Sequence, residues 1–128
     1  MSKGASQQQL LAYATYFNAV GKPDDALALL GGDTPRLPLE VWNLSLNALI
    51  ADSLAGRGQF REAKKLFDAV LAKEPDHVYA LRGRINLEIR TGATRAAITD
   101  AQRLVSVMPK SARDRLLLAR AYAAAGDR

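Results

Sequence analysis

Residues 56–75 read GRGQFREAKKLFDAVLAKEP, and within that stretch Gly58 is followed by Ala63, Phe67 and Pro75. The spacing matters because the chain uses it again. Gly21, Ala26 and Pro38 stand 37 residues before Gly58, Ala63 and Pro75, and Gly92, Ala97 and Pro109 stand 34 residues after them. Gly126 lies a further 34 residues beyond Gly92. Three features that move together by a common offset, 37 residues in one direction and 34 in the other, mark an internal repeat, and a period of roughly 20 to 50 residues is that of stacked supersecondary units.

Each period reads as a pair of helices. In the first, Leu10, Tyr13, Ala14 and Phe17 draw an apolar stripe down one face of a helix over about 7–20. Gly21 breaks it, and Pro23 with Asp24 and Asp25 opens a second helix over about 23–31, because proline suits a first helical turn and aspartate its positive end. After Pro38, LEVWNLSLNALIADSLA supplies a longer helix ended by Gly56 and Gly58. Its partner, over about 59–73, carries Phe60, Ala63, Phe67 and Val70 on one face. HVYALRGRINLEIRTG and ATRAAITDAQRLVSVMP form a third pair, and SARDRLLLARAYAAAG is a last helix with no partner in this chain. Connections of about three to five residues predict antiparallel neighbours. The three extra residues of the first interval are assigned to a lengthened corner near Trp42.

The quoted residues then have architectural roles. Ala63 keeps two helices close, Phe67 fills the space between one unit and the next, and Gly58 allows the tight turn at a helix end. Pro75 drives the residue before it out of helix and so separates the units. The array resembles the tetratricopeptide repeat (TPR) family. The second unit carries the resemblance with Ile50, Ala51, Leu54, Gly58, Phe60, Ala63, Phe67 and Pro75, and the last half-unit with Leu118, Ala119, Tyr122 and Gly126. The third unit departs from the pattern: Ile85 stands where a small residue is usual, Glu88 replaces the aromatic and Ala101 the Phe. The resemblance implies an all-α, right-handed superhelix of about seven helices. Its repeats fall at about 7–40, 44–77, 78–111 and 112–128 in one domain, after a disordered 1–6.

Composition limits the function classes. With 128 residues and 48% hydrophobic content the chain can bury a core. It has no Cys, so neither a disulfide nor a thiolate metal site can form. Its apolar runs fall short of the roughly 18 residues needed to span a bilayer. MSKGASQQQ has no signal-peptide character, which leaves a cytoplasmic location, or a periplasmic one if a signal has been removed. Residues 1–77 hold 8 Lys/Arg against 9 Asp/Glu, whereas residues 78–128 hold 10 against 4, nine of the ten being Arg. Such asymmetry argues for an acidic partner.

Catalysis has little to draw on. His77, in the EPDHV corner, is the one histidine and reads as a surface-loop residue. Asp24 and Asp25 read as a helix-start charge pair, and Asp52 and Asp100 as single carboxylates without an evident partner. No phosphate loop or metal-ligand spacing is present, so the chain reads as a non-enzyme without cofactors.

Stacked helix pairs offer a concave groove instead, which in arrays resembling this one is lined by the first helix of each unit. Tyr79, Arg82, Asn86 and Arg90 share one helix face, distinct from that of Leu81 and Ile85. One period on, Arg113 and Arg120 share a face with Leu116 and Leu117, while Asp52, Gln8, Leu11 and Thr15 hold the neutral end. Arginine can hold a carboxylate through two charge-assisted bonds, and Asn86 can pair with peptide backbone. These residues therefore read as a binding site for an acidic or C-terminal peptide of a protein partner. Two alternatives carry less weight: self-association through an uncovered LLL run and Tyr122 on the last helix, and RNA binding by the basic half. The chaperone-tail clamp of some TPR proteins is matched by Arg82 and Asn86 alone, since Leu116 and Leu117 fall where a further Asn belongs. The Ala- and Arg-rich composition resembles bacterial TPR proteins, many of which serve secretion, pilus or envelope assemblies. The abrupt end at GDR reads as a fragment of a longer array.

Overall fold

The computed structural model describes residues 7–29 and 41–126. The readings of residues 1–6, of the corner with Pro38 and of the side chains of Gln8, Leu10, Leu11 and Trp42 lie outside the described residues. Seven α-helices and no strand occur among the described residues: α1 Gln7–Ala19, α2 Pro23–Leu29, α3 Val41–Gly56, α4 Phe60–Lys73, α5 Val78–Thr91, α6 Thr94–Val107 and α7 Ala112–Ala125.

The period is written into the helix ends. Gly21, Gly58, Gly92 and Gly126 all adopt left-handed φ, from 79° to 87°, a conformation that costs glycine nothing and other residues much. At the first three of these turns the same long backbone bond closes the helix: Lys22 N–H to Phe17 O at 2.7 Å, Gln59 N–H to Leu54 O at 2.9 Å and Ala93 N–H to Glu88 O at 2.8 Å. Phe17, Leu54 and Glu88 are thus one repeat position, and Tyr122 is the next. Ala26, Ala63 and Ala97, spaced by the same offsets, have no exposed surface.

The chain divides into two compact units, residues 1–66 and 67–128. In the first, α1, α2 and α3 pack on one another. Gly56 lies so close to the Pro23 ring that a Cβ there would stand 3.0 Å from it. Ser53 Oγ donates to Asn18 Oδ1 at 2.8 Å, and Arg57 pairs with Asp24 at 3.1 Å. In the second unit α6 packs on α5 and α7, and α5 reaches α7. Phe67, Val70, Leu81, Ile85, Ala97, Ala101, Leu104 and Ala121 form its fully buried core. The Phe67 ring fills the space beside Gly83, where a Cβ would collide with it. So Phe67 is the plug its spacing suggests, and the degenerate third repeat keeps its small residue at Gly83 instead of at Ile85.

His77 departs from its sequence reading. It is buried, it is the N-cap of α5, and its Nδ1 accepts the Ala80 N–H at 3.2 Å. Burial lowers its pKa against the opposing pull of Glu74, which suits a neutral ring that must keep an acceptor nitrogen.

Candidate functional site

The site is built on α5 and α7 of the second unit. Two features at the start of α7 fix its geometry. Ser111 caps the helix, its Oγ accepting the Asp114 N–H at 3.2 Å. Asp114, held in that first turn with no exposed surface, receives Arg82 in a two-pronged bond: Nε to Oδ1 at 2.8 Å and Nη2 to Oδ2 at 2.9 Å. The Arg82 bond holds the Asp114 carboxyl below the usual carboxylate range, against the opposing effect of burial, and the Ser111 hydroxyl assists. A carboxylate placed near a helix N-terminus also meets the positive end of its dipole. Arg82 therefore spans α5 and α7 and spends its fork on an internal partner.

Beside this pair lies a cleft of about 260 Å³ lined by Arg82, Asn86, Arg113, Asp114, Leu116, Leu117 and Arg120. The structure brings together six of the eight residues that the spacing suggested, while Tyr79 and Arg90 lie off the lining. Tyr79 is half-exposed and packs its ring edgewise on His77 at 5.9 Å. The six are not equivalent. Asn86 Nδ2 donates to the Arg82 carbonyl of its own helix at 3.1 Å, which commits one of its donors. Leu117 is a core residue at 6% exposure, whereas Leu116, one step of 100° around the helix, is 63% exposed. Arg113 and Arg120 have no hydrogen-bonded or ion-paired partner among the described residues, although Arg113 acts on Asp114 through its charge. Tyr122 is partly covered, its hydroxyl accepting Gln102 Nε2 at 2.9 Å. Of the residues placed at the neutral end, Thr15 is exposed and Asp52 half-buried, both in the first unit.

Sequence reasoning missed Asp114, whose place 32 residues beyond Arg82 is almost one period and could have suggested the pairing. It also missed Arg84 altogether. Asp100, read as a carboxylate without a partner, is paired: Arg84 Nε and Nη2 donate to its two oxygens at 2.8 and 2.9 Å. Arg84 Nη1 donates in addition to Asp68 at 2.9 Å, and Glu88 Oε2 lies 3.7 Å from Arg84 Nε. Arg84 is two residues from Arg82, so the two guanidiniums leave α5 on different sides.

Neither a protein-family model nor a curated protein sequence matches the chain. Among solved structures, it is similar to MamA, residues 41 to the end, from Desulfovibrio magneticus RS-1. That match has a TM-score of 0.64 at 21% identity, over 96% of this chain and 68% of that one. A MamA RS-1 ArsTM double mutant superposes equally well, with a TM-score of 0.64 at 21% identity, over 98% of this chain and 68% of that one. MamA is a TPR-containing protein. Together with the periodic turns, the similarity establishes a TPR-type helical-repeat fold for this chain.

Proposed function

We propose that the chain is a non-catalytic protein-binding module whose α5–α7 cleft takes an acidic segment of a partner. The observation that carries this reading is the pair Arg113 and Arg120, without ion-pair partners among the described residues, on either side of the exposed Leu116. The two arginines are seven residues apart on one helix, about 10 Å along its axis at about 1.5 Å per residue. A segment with two carboxylates at that separation and an apolar side chain between them complements all three. Arg82 serves this site as a positioning residue: bound to Asp114, it sets the distance between α5 and α7 and contributes no net charge. The basic character of the cleft thus rests on two guanidiniums, which is little for a phosphate backbone. The same pair disfavours a second copy of this chain, because a self-complementary contact at Leu116 would bring like charges together.

The fold similarity supports a scaffold role, and the chemistry available supports the absence of catalysis, since the one histidine is committed to a helix cap. The test is an array of immobilised acidic 12-residue peptides, with free and amidated C-termini, probed with the wild-type chain and an Arg113→Ala/Arg120→Ala variant. Each charge-assisted bond is worth about 1.5–3 kcal/mol, so the expected loss for the variant is at least about tenfold in Kd. Its unfolding curve should stay within about 0.5 kcal/mol of wild type, as for other surface changes. Peptides bound equally by both proteins, or an array without binders, would overturn the reading.

A further inference from the structure

The Arg84 cluster occupies positions that the preceding repeat fills with apolar residues. Thirty-four residues upstream of Arg84, Glu88 and Asp100 stand Ile50, Leu54 and Leu66, all buried. The third repeat has therefore placed one cation and two acids in core positions, and α4 adds a third acid, Asp68. Glu88 is 7% exposed and its Oε1 has no hydrogen-bond partner among the described residues.

One guanidinium cannot neutralise three carboxylates. Arg84 gives Asp100 two bonds and Asp68 one, and the Glu88 oxygen 3.7 Å from its Nε is beyond hydrogen-bond reach. With all three acids ionised, the buried Glu88 carboxylate is the one that receives no hydrogen bond from the guanidinium, and its charge sits beside that of Asp100. A proton on Glu88 removes that charge and turns the carboxyl into a donor that the Asp100 carboxylate can accept. The groups that face Glu88 are Asp68 from α4, Asp100 from α6 and Arg84 from its own helix. On α7 the buried acid, Asp114, is engaged by Arg82.

We propose that the Arg84–Asp100–Glu88–Asp68 cluster is a proton-operated clamp, which joins the C-terminal half of α4 to α5 and α6 while Glu88 is protonated and slackens when Glu88 ionises. The ionisation falls in a physiological range. Burial first, then the hydrogen bond to Asp100 and its charge, push the Glu88 carboxyl up to about 8. A folded-state value raised above the unfolded one gives stability that is complete below about pH 4.5 and lost as pH rises through about 8. His77 acts in the opposite sense. Its lowered folded value adds stability as pH rises, and that gain is complete once the ordinary histidine value of 6.5 is passed. Between pH 6.5 and 8 Glu88 therefore acts without opposition from His77. An open dent of about 320 Å³ lined by Asp68, Arg84 and Arg103, among others, gives solvent a short route to the guanidinium end of the cluster.

The experiment is urea unfolding of the full chain at intervals from pH 6.5 to 8.5. It compares wild type with Glu88→Gln, which keeps a donor without a titrating proton, and Glu88→Leu, which restores the residue of the preceding repeat. The unfolding constant of wild type should rise roughly tenfold between pH 6.5 and 8, and that rise should vanish in both variants. A flat wild-type profile, or a rise that both variants retain, would overturn the clamp. Should neither variant fold, the carboxyl carbon of Glu88 in wild type decides by NMR titration. A midpoint above pH 7 supports the clamp, and one near the ordinary glutamate value sinks it.

Discussion

The second and third repeats solve the same packing problem in different ways. Ile50, Leu54 and Leu66 bury hydrocarbon, while Arg84, Glu88 and Asp100, each 34 residues on, bury an ionic cluster. Full burial of an aliphatic side chain contributes about 1.5–3 kcal/mol and asks nothing of its neighbours except shape. A buried charge contributes only as much as its partners compensate for its desolvation, so its worth depends on every other member of the cluster. The apolar repeat is consequently indifferent to pH, whereas the ionic one responds to it. Within the second unit the contrast repeats on a smaller scale. Arg82 and Asp114 balance one to one, while Arg84 faces three acids.

The largest effect should come from unbalancing the overloaded cluster. Arg84→Ala takes two bonds from Asp100, one from Asp68 and the nearby cation from Glu88, and removing one partner of a buried ionic set costs about 3–5 kcal/mol. Because Asp68 is 41% exposed and can turn to water, the lower end, about 3 kcal/mol at pH 7, is expected in urea unfolding. A loss below about 1 kcal/mol would mean that the cluster is worth no more than a surface ion pair.

The opposite change should come next in size. Arg84→Ile/Glu88→Leu/Asp100→Leu writes the second repeat's residues into the third. Replacing buried ionic groups with apolar residues of similar volume is often stabilising by about 1–4 kcal/mol, and about 2 kcal/mol is expected here. A destabilised triple variant would show that the ionic set fits its site better than hydrocarbon does.

The contrast also explains what could be read from the sequence. The fold was legible at Gly21, Gly58, Gly92 and Gly126, because a left-handed turn excludes almost every other residue. It was legible again at Ala26, Ala63 and Ala97, small residues at the repeat spacing that have no exposed surface. The candidate site was legible only as a face. Periodicity put Arg82, Asn86, Arg113 and Arg120 on first helices, but it carries no record of which charges meet. That Arg82 is spent on Asp114, that Leu117 turns inward while Leu116 does not, and that His77 caps a helix are consequences of tertiary packing. The departure of Glu88 from the repeat pattern was visible in the sequence, and its meaning was not, because Arg84, Asp100 and Asp68 converge on it only in three dimensions.

The smallest of the three effects tests the balanced pair. Asp114→Ala removes the acceptor of both Arg82 bonds, and a charge-assisted interaction of this kind contributes about 1.5–3 kcal/mol. The lower end is expected, about 1.5 kcal/mol, because Arg82 lines the cleft with a fifth of its side chain exposed and its freed guanidinium can take water. The pH dependence should run opposite to that of Glu88. A carboxyl held below its ordinary value contributes stability that is complete above about pH 4 and lost as pH falls through the folded value. Wild type should therefore lose stability on the acid side more steeply than Asp114→Ala, with the two differing by a constant amount from pH 5 to 8. If the difference grew on the alkaline side instead, the Arg82–Asp114 pair would be coupled to the Glu88 cluster across α5, and the two networks would have to be treated as one.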